Sequence, residues 1–321
     1  MGLVSSKRAD SFDCFSVYGI TLVSNLPLRL PYAAGENCAK VVVVLEAAGS
    51  AAFRSVPHDL PLDPNDWVLH AILENGDLYM RWAEWFDFLV SADARRIVCR
   101  NLSNVPLESF EAYLTNFAVS AALVQLGEEP LHATVVDISG RAIGLLGTSG
   151  AGKSTLASYL IDRGGDLLTD DMLRVTIENG EALAHPGPNR LKLFEEAANR
   201  YLQNGANPAR WSPLGEKLIY ELGDPKMARP ARRLSALFRL DAPTTGSDGG
   251  VTLEQLRGLE LFKAISASTM TSRLHTPGRL ARQFRFAERL ARMLPVYRLS
   301  YPRNFDVFRQ VAEQIYRSAL T

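Results

Sequence analysis

Short runs of apolar residues fill the first hundred positions, and clusters of Pro, Gly, Asn and Asp separate them. This pattern is typical of β-strands bounded by turns. It predicts strands at Phe15–Leu22, Val41–Glu46, Leu78–Val90 and Ile97–Arg100, with Ser91–Arg96 joining the last two. The N-terminal part of the chain is therefore predicted to be β-rich.

Four aromatic residues fall in the third of these runs: Trp82, Trp85, Phe86 and Phe88. They could form an exposed binding platform or pack in the core of the sheet. Because large aromatic side chains are usually buried and pair across strands, we expect core packing.

From Leu107 to Leu126, apolar residues recur at steps of three and four, which predicts an amphipathic helix. Pro106 suits its first turn and Gly127 its end. We expect this helix to close a β-rich N-terminal domain at residues 1–128 and to connect it to a second domain at residues 129–321.

The second domain mixes strand and helix patterns, which indicates an α/β fold. The predicted strands are Ala133–Ile138, Ala142–Leu146, Asp166–Thr169, Leu173–Ile177, Ala182–Ala184, Leu234–Leu240 and an edge strand at Val296–Leu299. The predicted helices are Lys153–Asp162, Leu253–Ser266, Arg279–Met293 and Phe305–Ala319, and Asp241–Gly250 is a predicted loop.

Composition excludes some classes of function. Lys plus Arg and Asp plus Glu each number 35, so no basic surface for nucleic acid is indicated. Cys14, Cys38 and Cys99 form no C-x-x-C pair, which argues against a disulfide framework or a thiolate zinc site. No secretory signal is recognised, and the longest strongly apolar run, Val41–Leu45, is too short for a bilayer. We expect a cytoplasmic protein without a membrane partner.

One segment, Gly147-Thr148-Ser149-Gly150-Ala151-Gly152-Lys153-Ser154, fits the P-loop pattern G-x-x-x-x-G-K-[ST] at every fixed position. A predicted strand precedes it and a predicted helix follows, as a P-loop requires. The glycines let backbone N–H groups point at phosphate oxygens, and the helix start adds its dipole. We expect this loop and Thr155 to bind ATP, with Lys153 reaching the β- and γ-phosphates and Ser154 binding Mg²⁺.

Asp170 and Asp171 follow the predicted strand Asp166–Thr169, at the end where open α/β sheets bind ligands. Two adjacent carboxylates repel each other unless a cation or a proton separates them, and Mg²⁺-ATP supplies the cation. One aspartate would hold Mg²⁺, and the other would accept the proton of an attacking hydroxyl. The alternative is a pair of turn or N-cap residues. Beside a P-loop, the functional interpretation is favoured.

Other charged residues carry weaker signals. The spacing of His132 does not separate a structural from a catalytic role. Arg190 and Lys192 could meet phosphate or an acidic acceptor, but they are interpreted as solvated loop charges. One member of the basic cluster Arg229, Arg232 and Arg233 could stabilise a transferred phosphoryl group.

These motifs together resemble a known family. The stretch Leu131–Val175 resembles the core of HPr kinase/phosphorylase, which shows a His, an apolar hairpin with a V-D-x-x-G turn, a P-loop, a helix and an Asp-Asp pair. Here these are His132, Val136–Gly140, Gly147–Ser154 and Asp170-Asp171, in the same order. The resemblance implies an HPr kinase C-terminal fold with a mixed sheet related to phosphoenolpyruvate carboxykinase, preceded by the smaller β-rich domain.

The resemblance also implies roles for single residues. By motif position, Asp170 resembles the catalytic Asp that activates the acceptor serine, and Asp171 resembles its partner near the metal. His132 resembles the family's active-site histidine, and Lys153 and Ser154 take the P-loop roles. The implied cofactors are ATP and Mg²⁺, and the implied partner is a protein or peptide with a serine. Because the family's kinases are hexamers, a homo-oligomer is also an expectation from the resemblance.

The chain departs from true HPr kinases after the Asp pair. Their E-[IV]-R-G-x-G segment is missing, and residues 185–193 stand there instead. This argues against HPr as the acceptor and against phosphorolysis, and it leaves the oligomeric state open. The segments FSVYGITLVSNLPL and PVYRLSYPRNFD resemble HPr-kinase-related proteins, some of which are similar to kinases of the C-terminal serine of a lasso-peptide precursor.

The leading hypothesis is an ATP- and Mg²⁺-dependent kinase that phosphorylates a serine of a protein or peptide. A kinase of a small hydroxylated metabolite is one alternative. A nucleotide-regulated binding module with little phosphotransfer is another, although the intact Asp pair argues against it. The sequence does not show whether the protein prefers ATP or GTP.

Overall fold

A computed structural model describes residues 12–33, 42–57, 68–82, 84–103, 105–202, 208–210, 215–242, 250–274 and 276–320. The chain divides into two compact units. Unit 1 comprises Met1–Leu126 and Lys226–Ala228, and unit 2 comprises Gly127–Pro225 and Arg229–Thr321. The domain boundary after residue 128 stays a prediction.

Unit 1 is built on a seven-stranded sheet in the order β1-β2-β3-β7-β6-β5-β4. Its strands are β1 (Asp13–Val17), β2 (Ile20–Ser24), β3 (Val42–Ala47), β4 (Val68–Ile72), β5 (Leu78–Trp82), β6 (Phe86–Val90) and β7 (Arg96–Asn101). Helix α1 (Leu107–Tyr113) continues through a π-helical turn (Leu114–Ala118) into α2 (Val119–Gln125). The β-rich N-terminal part and its closing helix are therefore confirmed.

Two predicted strands of unit 1 are in fact hairpins. The run Phe15–Leu22 is interrupted because Tyr18 and Gly19 adopt φ of 53° and 66°, which turns the chain between β1 and β2. The run Leu78–Val90 is likewise divided into β5 and β6, which pair with each other. Apolar runs show where strands lie, but they do not show where one strand turns into the next.

The aromatic residues of unit 1 lie in its core. Trp82, Phe86 and Phe88 are at most 2% exposed. The Phe86 ring lies 5.3 Å from that of Phe110 and 5.0 Å from that of Tyr113, between the sheet and the helix. The core interpretation is confirmed for these side chains, and they do not form an exposed platform.

Unit 2 contains the remaining strands and helices. Its strands are β8 (Leu131–Ile138), β9 (Arg141–Leu146), β10 (Asp166–Thr169), β11 (Met172–Leu173), β12 (Val175–Glu178), β13 (Glu181–Ala184), β14 (Arg190–Leu193), β15 (Ala209–Arg210), β16 (Leu218–Glu221), β17 (Arg232–Asp241), β18 (Thr252–Gln255) and β19 (Val296–Ser300). Its helices are α3 (Lys153–Asp162), α4 (Glu195–Tyr201), α5 (Gly258–Ala267), α6 (Pro277–Met293) and α7 (Phe308–Ala319).

The main sheet of unit 2 is mixed, as predicted. Strands β8 and β9 pair antiparallel, β10 pairs antiparallel with β8, and β17 pairs parallel with both β9 and β19. Consequently β9, β10, β17 and β19 all run in one direction, and their carboxyl ends meet at the same edge of the sheet. Segments that follow these strands are gathered there.

Helices cover both faces of this sheet. On β8, Leu131, Ala133 and Val135 belong to a core cluster that includes residues of α5 and α6. Val136 belongs to a second cluster that includes residues of α3 and α7. Because side chains alternate along a strand, His132 shares its face of β8 with Val136, on the side of α3.

Two further predictions for unit 2 are wrong. The predicted helix Leu253–Ser266 begins as strand β18 and becomes helical only at α5. Strand β19 is not at an edge, since β17 and β18 pair with its two sides. Residues 243–249 of the predicted loop lie outside the described residues.

The described residues include two free cysteines, Cys14 and Cys99, while Cys38 lies outside them. Burial raises the pKa of Cys99 to about 12, with the charge of Glu46 as a second cause, so this thiol is unreactive. In the described parts of the chain, no helix has the length and apolarity to span a bilayer.

A buried carboxylate joins three strands of unit 1. The Asp87 side chain is fully buried and accepts hydrogen bonds from Tyr79 Oη at 2.8 Å, Arg81 Nε at 2.8 Å and Arg100 Nε at 3.1 Å. Asp87→Asn leaves two guanidinium groups without their counter-charge. We expect the free energy of unfolding to fall by about 3 kcal/mol, the cost of breaking a buried ion pair. Denaturant unfolding followed by tryptophan fluorescence measures it.

The exposed Glu74 of the same unit provides a matched control. Glu74→Gln should change the free energy of unfolding by less than about 0.5 kcal/mol. Equal stability of the Asp87→Asn and wild-type proteins would contradict the role given to this carboxylate.

Candidate active site

The predicted P-loop lies between β9 and α3, as the motif requires. Gly147 has φ of 144°, and a Cβ there would lie 2.8 Å from the Ala151 Cβ and 3.3 Å from the Leu240 carbonyl oxygen. Gly150 and Gly152 have φ of 80° and 89°. Because side chains rarely adopt these backbone angles, only glycine lets the loop take this shape.

Lys153 begins α3 and is 6% exposed. Its ammonium donates to the carbonyl oxygens of Gly147 at 2.7 Å and Thr148 at 3.1 Å, so the side chain folds back over the loop. Burial lowers the pKa of Lys153 to about 8, with the charge of Asp170 opposing the shift and that of Lys217 adding to it. The ammonium is therefore placed beside the loop where phosphates would bind.

Asp170 and Asp171 lie at a break in the pairing of β8. Strand β10 pairs with β8 before the break, and β11 pairs with β8 after it, with Met172 opposite His132. Asp171 adopts φ of 67°, an uncommon conformation for a residue other than glycine. Such irregularities re-aim side chains and are frequent beside functional sites. This break is what turns the Asp170 carboxylate toward the P-loop.

The Asp170 carboxylate is the point where several segments meet. Its Oδ1 accepts hydrogen bonds from the hydroxyls of Thr134 at 2.7 Å and Ser154 at 3.3 Å. Its Oδ2 accepts from the backbone N–H of Lys192 at 2.9 Å. The structure thus joins the predicted P-loop serine and the first aspartate of the pair, which are 16 residues apart in sequence.

Lys192 is a buried partner of the second aspartate, so its interpretation as a solvated loop charge is wrong. Its ammonium forms an ion pair with Asp171 Oδ2, and the two side chains are 11% and 12% exposed. Burial lowers the pKa of Lys192 to about 7, with Asp170 opposing the shift and Lys217 and Lys153 adding to it. Arg190, two positions earlier on β14, is also buried.

His132 lies on the face of β8 that it shares with Thr134, on the side of the P-loop helix. Burial lowers the pKa of His132 to about 3, and the charges of Lys153, Lys192 and Lys217 add to this effect. The imidazole is therefore neutral near pH 7. The proximity of Lys217 to these residues is not apparent from sequence, because no motif includes it and only the fold brings its charge near the site.

The three clustered arginines, of which Arg229 precedes β17 and Arg232 and Arg233 begin it, take part in structural contacts. Arg229 donates to two backbone carbonyls, Arg232 pairs with Asp137, and Arg233 lies 3.6 Å from Glu181. Each of the three arginines therefore has a contact within the protein, and we assign no phosphoryl contact to them.

The site fits Mg²⁺ bound together with a nucleotide. Over the described ranges, no three His, Cys, Asp or Glu side chains form a metal-binding group. Mg²⁺ usually takes one or two carboxylates, waters and substrate phosphate oxygens rather than an all-protein set. Ser154 and the two aspartates are suitable oxygen donors, and the Lys192 ammonium shows that a positive charge fits beside Asp171.

Comparisons with known proteins agree with these motifs. The model of the HPr Serine kinase C-terminal domain matches residues 125–197. HPr kinase/phosphorylase of Lachnoclostridium phytofermentans is 36% identical over 66 residues, which is 21% of each chain. That of Halalkalibacterium halodurans is 27% identical over 198 residues, 59% of this chain and 61% of that protein. The HPr-kinase-like character of this region is confirmed, although the match spans less than two thirds of either relative.

The solved structures that match include the HPr(Ser) kinase/phosphatase from Coxiella burnetii. The match covers 59% of this chain and 93% of that chain, with 13% identity and a TM-score of 0.31. At that TM-score, the likeness adds nothing to the fold described above.

The Asp171–Lys192 pair can be tested by a double-mutant cycle. Lys192→Met should lower the free energy of unfolding by about 3 kcal/mol, because it leaves Asp171 buried without its counter-charge. Adding Asp171→Asn should recover part of this loss, with a coupling energy of about 2 kcal/mol. Denaturant unfolding of the four proteins measures the cycle.

Lys263→Met, at an exposed position in the same unit, should change stability by less than about 0.5 kcal/mol. Strictly additive effects of Lys192→Met and Asp171→Asn would mean that the two side chains do not interact.

Proposed function

We propose that this protein is an ATP- and Mg²⁺-dependent kinase that transfers the γ-phosphoryl group to a serine hydroxyl of a protein or peptide. The observation that carries the proposal is the hydrogen bond from the Ser154 hydroxyl to the Asp170 carboxylate. It unites the P-loop with the aspartate pair in one site, and phosphoryl transfer needs both.

The P-loop binds the nucleotide in this proposal. Its backbone N–H groups and the Lys153 ammonium hold the β- and γ-phosphates, and the amino end of α3 adds a favourable dipole. Ser154 and Asp171 would hold Mg²⁺ together with phosphate oxygens. When bound, the metal ion neutralises negative charge on the phosphates and so lets a hydroxyl approach. Lys192, released from Asp171, would add a positive charge near the transferred group.

Asp170 is the proposed base. It lies beside Ser154 and is coupled to the charge of Lys153, so it is the aspartate next to the expected γ-phosphate. It accepts the proton of the serine hydroxyl while the serine oxygen forms a bond to the γ-phosphorus. The bond from that phosphorus to the bridging oxygen breaks, and ADP leaves. The neutral His132 can orient the acceptor by hydrogen bonding but does not supply a proton.

The acceptor class follows from the resemblance rather than from the site geometry. Because the segment typical of true HPr kinases is missing, we propose an acceptor other than HPr, and specifically the serine of a modified-peptide precursor. A cytoplasmic location and assembly into a homo-oligomer belong to the same proposal. A small hydroxylated metabolite is the competing acceptor.

Phosphoryl transfer can be measured directly with γ-labelled ATP and Mg²⁺. We expect label in a protein or peptide acceptor when HPr, a serine-ended precursor peptide and fractions of a cell lysate are offered. Lys153→Ala should abolish it, because the lysine contacts the transferring phosphates. Lys263→Ala is the matched control and should keep full activity. Label confined to small metabolites, or none in any acceptor, would contradict the proposal.

The roles of the two aspartates can be separated by comparing Asp170→Asn with Asp171→Asn. Asp170→Asn should lower transfer by at least about 10²-fold, the typical contribution of a general base, while Mg²⁺-ATP affinity stays near that of the wild type. Asp171→Asn should weaken the Mg²⁺ dependence of ATP binding. Calorimetric titration and the label assay supply the two readouts. Full transfer by Asp170→Asn would show that it is not the base.

A further inference from the structure

The segment after β19 reaches the P-loop from another part of the sheet. Strands β9 and β19 run in the same direction, each paired parallel with β17. Their carboxyl ends therefore lie at one edge, where β9 leads into Gly147 and β19 leads into Tyr301 and Arg303. Although about 150 residues separate these segments, the topology brings them together.

Arg303 is hydrogen-bonded to the loop itself. Its Nη1 donates to the carbonyl oxygen of Ala151 and, at 3.4 Å, to that of Gly150. The side chain is otherwise exposed, and its guanidinium carbon lies 6.0 Å from the centre of the Tyr301 ring. An exposed arginine that keeps two backbone acceptors and an aromatic face is held in one place by these contacts.

Tyr301 lies under the same stretch of the loop. It is 2% exposed, and its ring packs edge-on against Phe308 of α7 at 6.0 Å. A Cβ on Gly152 would lie 3.0 Å from Arg303 Nη1 and 3.5 Å from Tyr301 Oη, so both side chains lie close against this glycine. Within the described residues, the buried Tyr301 hydroxyl has no hydrogen-bond partner.

The side of the loop that Arg303 contacts limits what it can do. In a P-loop the N–H groups point inward at the phosphates, so carbonyls of the same stretch point outward. Arg303 binds two of these carbonyls and therefore lies outside the cradle. While it does so, its guanidinium acts on the shape of the loop and not on the phosphates.

We propose that Arg303, supported by Tyr301, is a positioning residue that holds the P-loop in its phosphate-binding shape before the nucleotide arrives. Gly147, Gly150 and Gly152 make the loop possible, but glycines also make it costly to order. Arg303 lowers that cost by fixing the carbonyls of Gly150 and Ala151, so that nucleotide binding meets an ordered loop. The inference rests on the proposed nucleotide binding by this loop.

The test compares Arg303→Met and Arg303→Lys with wild type in the full chain. We expect Arg303→Met to weaken binding of a fluorescent ATP analogue with Mg²⁺ about tenfold, and Arg303→Lys to recover part of the affinity. The transfer rate of Arg303→Met at saturating ATP should stay within about twofold of the wild-type rate, because the nucleotide-bound loop has the same shape in both proteins. Amide hydrogen exchange of residues 150–153 should become faster in Arg303→Met without nucleotide.

Arg309→Met is the matched control, since Arg309 is an exposed arginine of α7 that pairs only weakly with Glu313. It should leave affinity and loop exchange unchanged. If wild type itself does not bind the analogue, the proposed function fails. If wild type binds and Arg303→Met binds equally well, or exchanges faster throughout unit 2 rather than at the loop, the role of Arg303 is overturned while the proposed function stands.

Discussion

The candidate active site of unit 2 depends on how the buried Asp170 carboxylate is satisfied. A carboxylate in this position is costly unless several donors reach it. Thr134 from β8, Ser154 from α3 and the backbone N–H of Lys192 from β14 supply them. These three contacts bring together segments that are far apart in sequence, and they aim one carboxylate at the start of α3.

The contacts are possible because the strand pairing with β8 is interrupted at Asp170 and Asp171, between β10 and β11. If β10 continued into β11 without a break, successive side chains would alternate between the two faces of the sheet. The left-handed conformation of Asp171 interrupts this alternation, and Lys192 balances the charge of that residue. The parallel strands β9 and β19 then bring the P-loop and Arg303 to the same edge. The proposed kinase activity would require such fixed positions, since catalysis of phosphoryl transfer is almost entirely positioning and electrostatic stabilisation.

Much of this arrangement could be predicted from sequence because it is local. The P-loop, its flanking strand and helix, and the position of the Asp pair after β10 are set by a few neighbouring residues. The burial of Lys192 is not apparent from sequence, because it accompanies an ion pair with Asp171, which lies in a distant segment of the chain. Strand β18 resembled the start of a helix because its apolar spacing is ambiguous over four residues, and its pairing with β19 decided the outcome. The contact of Arg303 with the P-loop is likewise not apparent from sequence, since only the topology of the sheet brings this residue to the loop.

The most direct test is a crystal structure of the protein with Mg²⁺ and a non-hydrolysable ATP analogue. Its decisive measurement is the position of the γ-phosphorus relative to Asp170. We expect the β- and γ-phosphates to lie within the loop Gly147–Ser154 and Mg²⁺ to contact the Ser154 hydroxyl. We expect the Asp170 carboxylate to face the γ-phosphoryl group with room for a hydroxyl between them. A nucleotide bound elsewhere, or an Asp170 carboxylate turned away from the γ-phosphoryl group, would contradict the proposed mechanism.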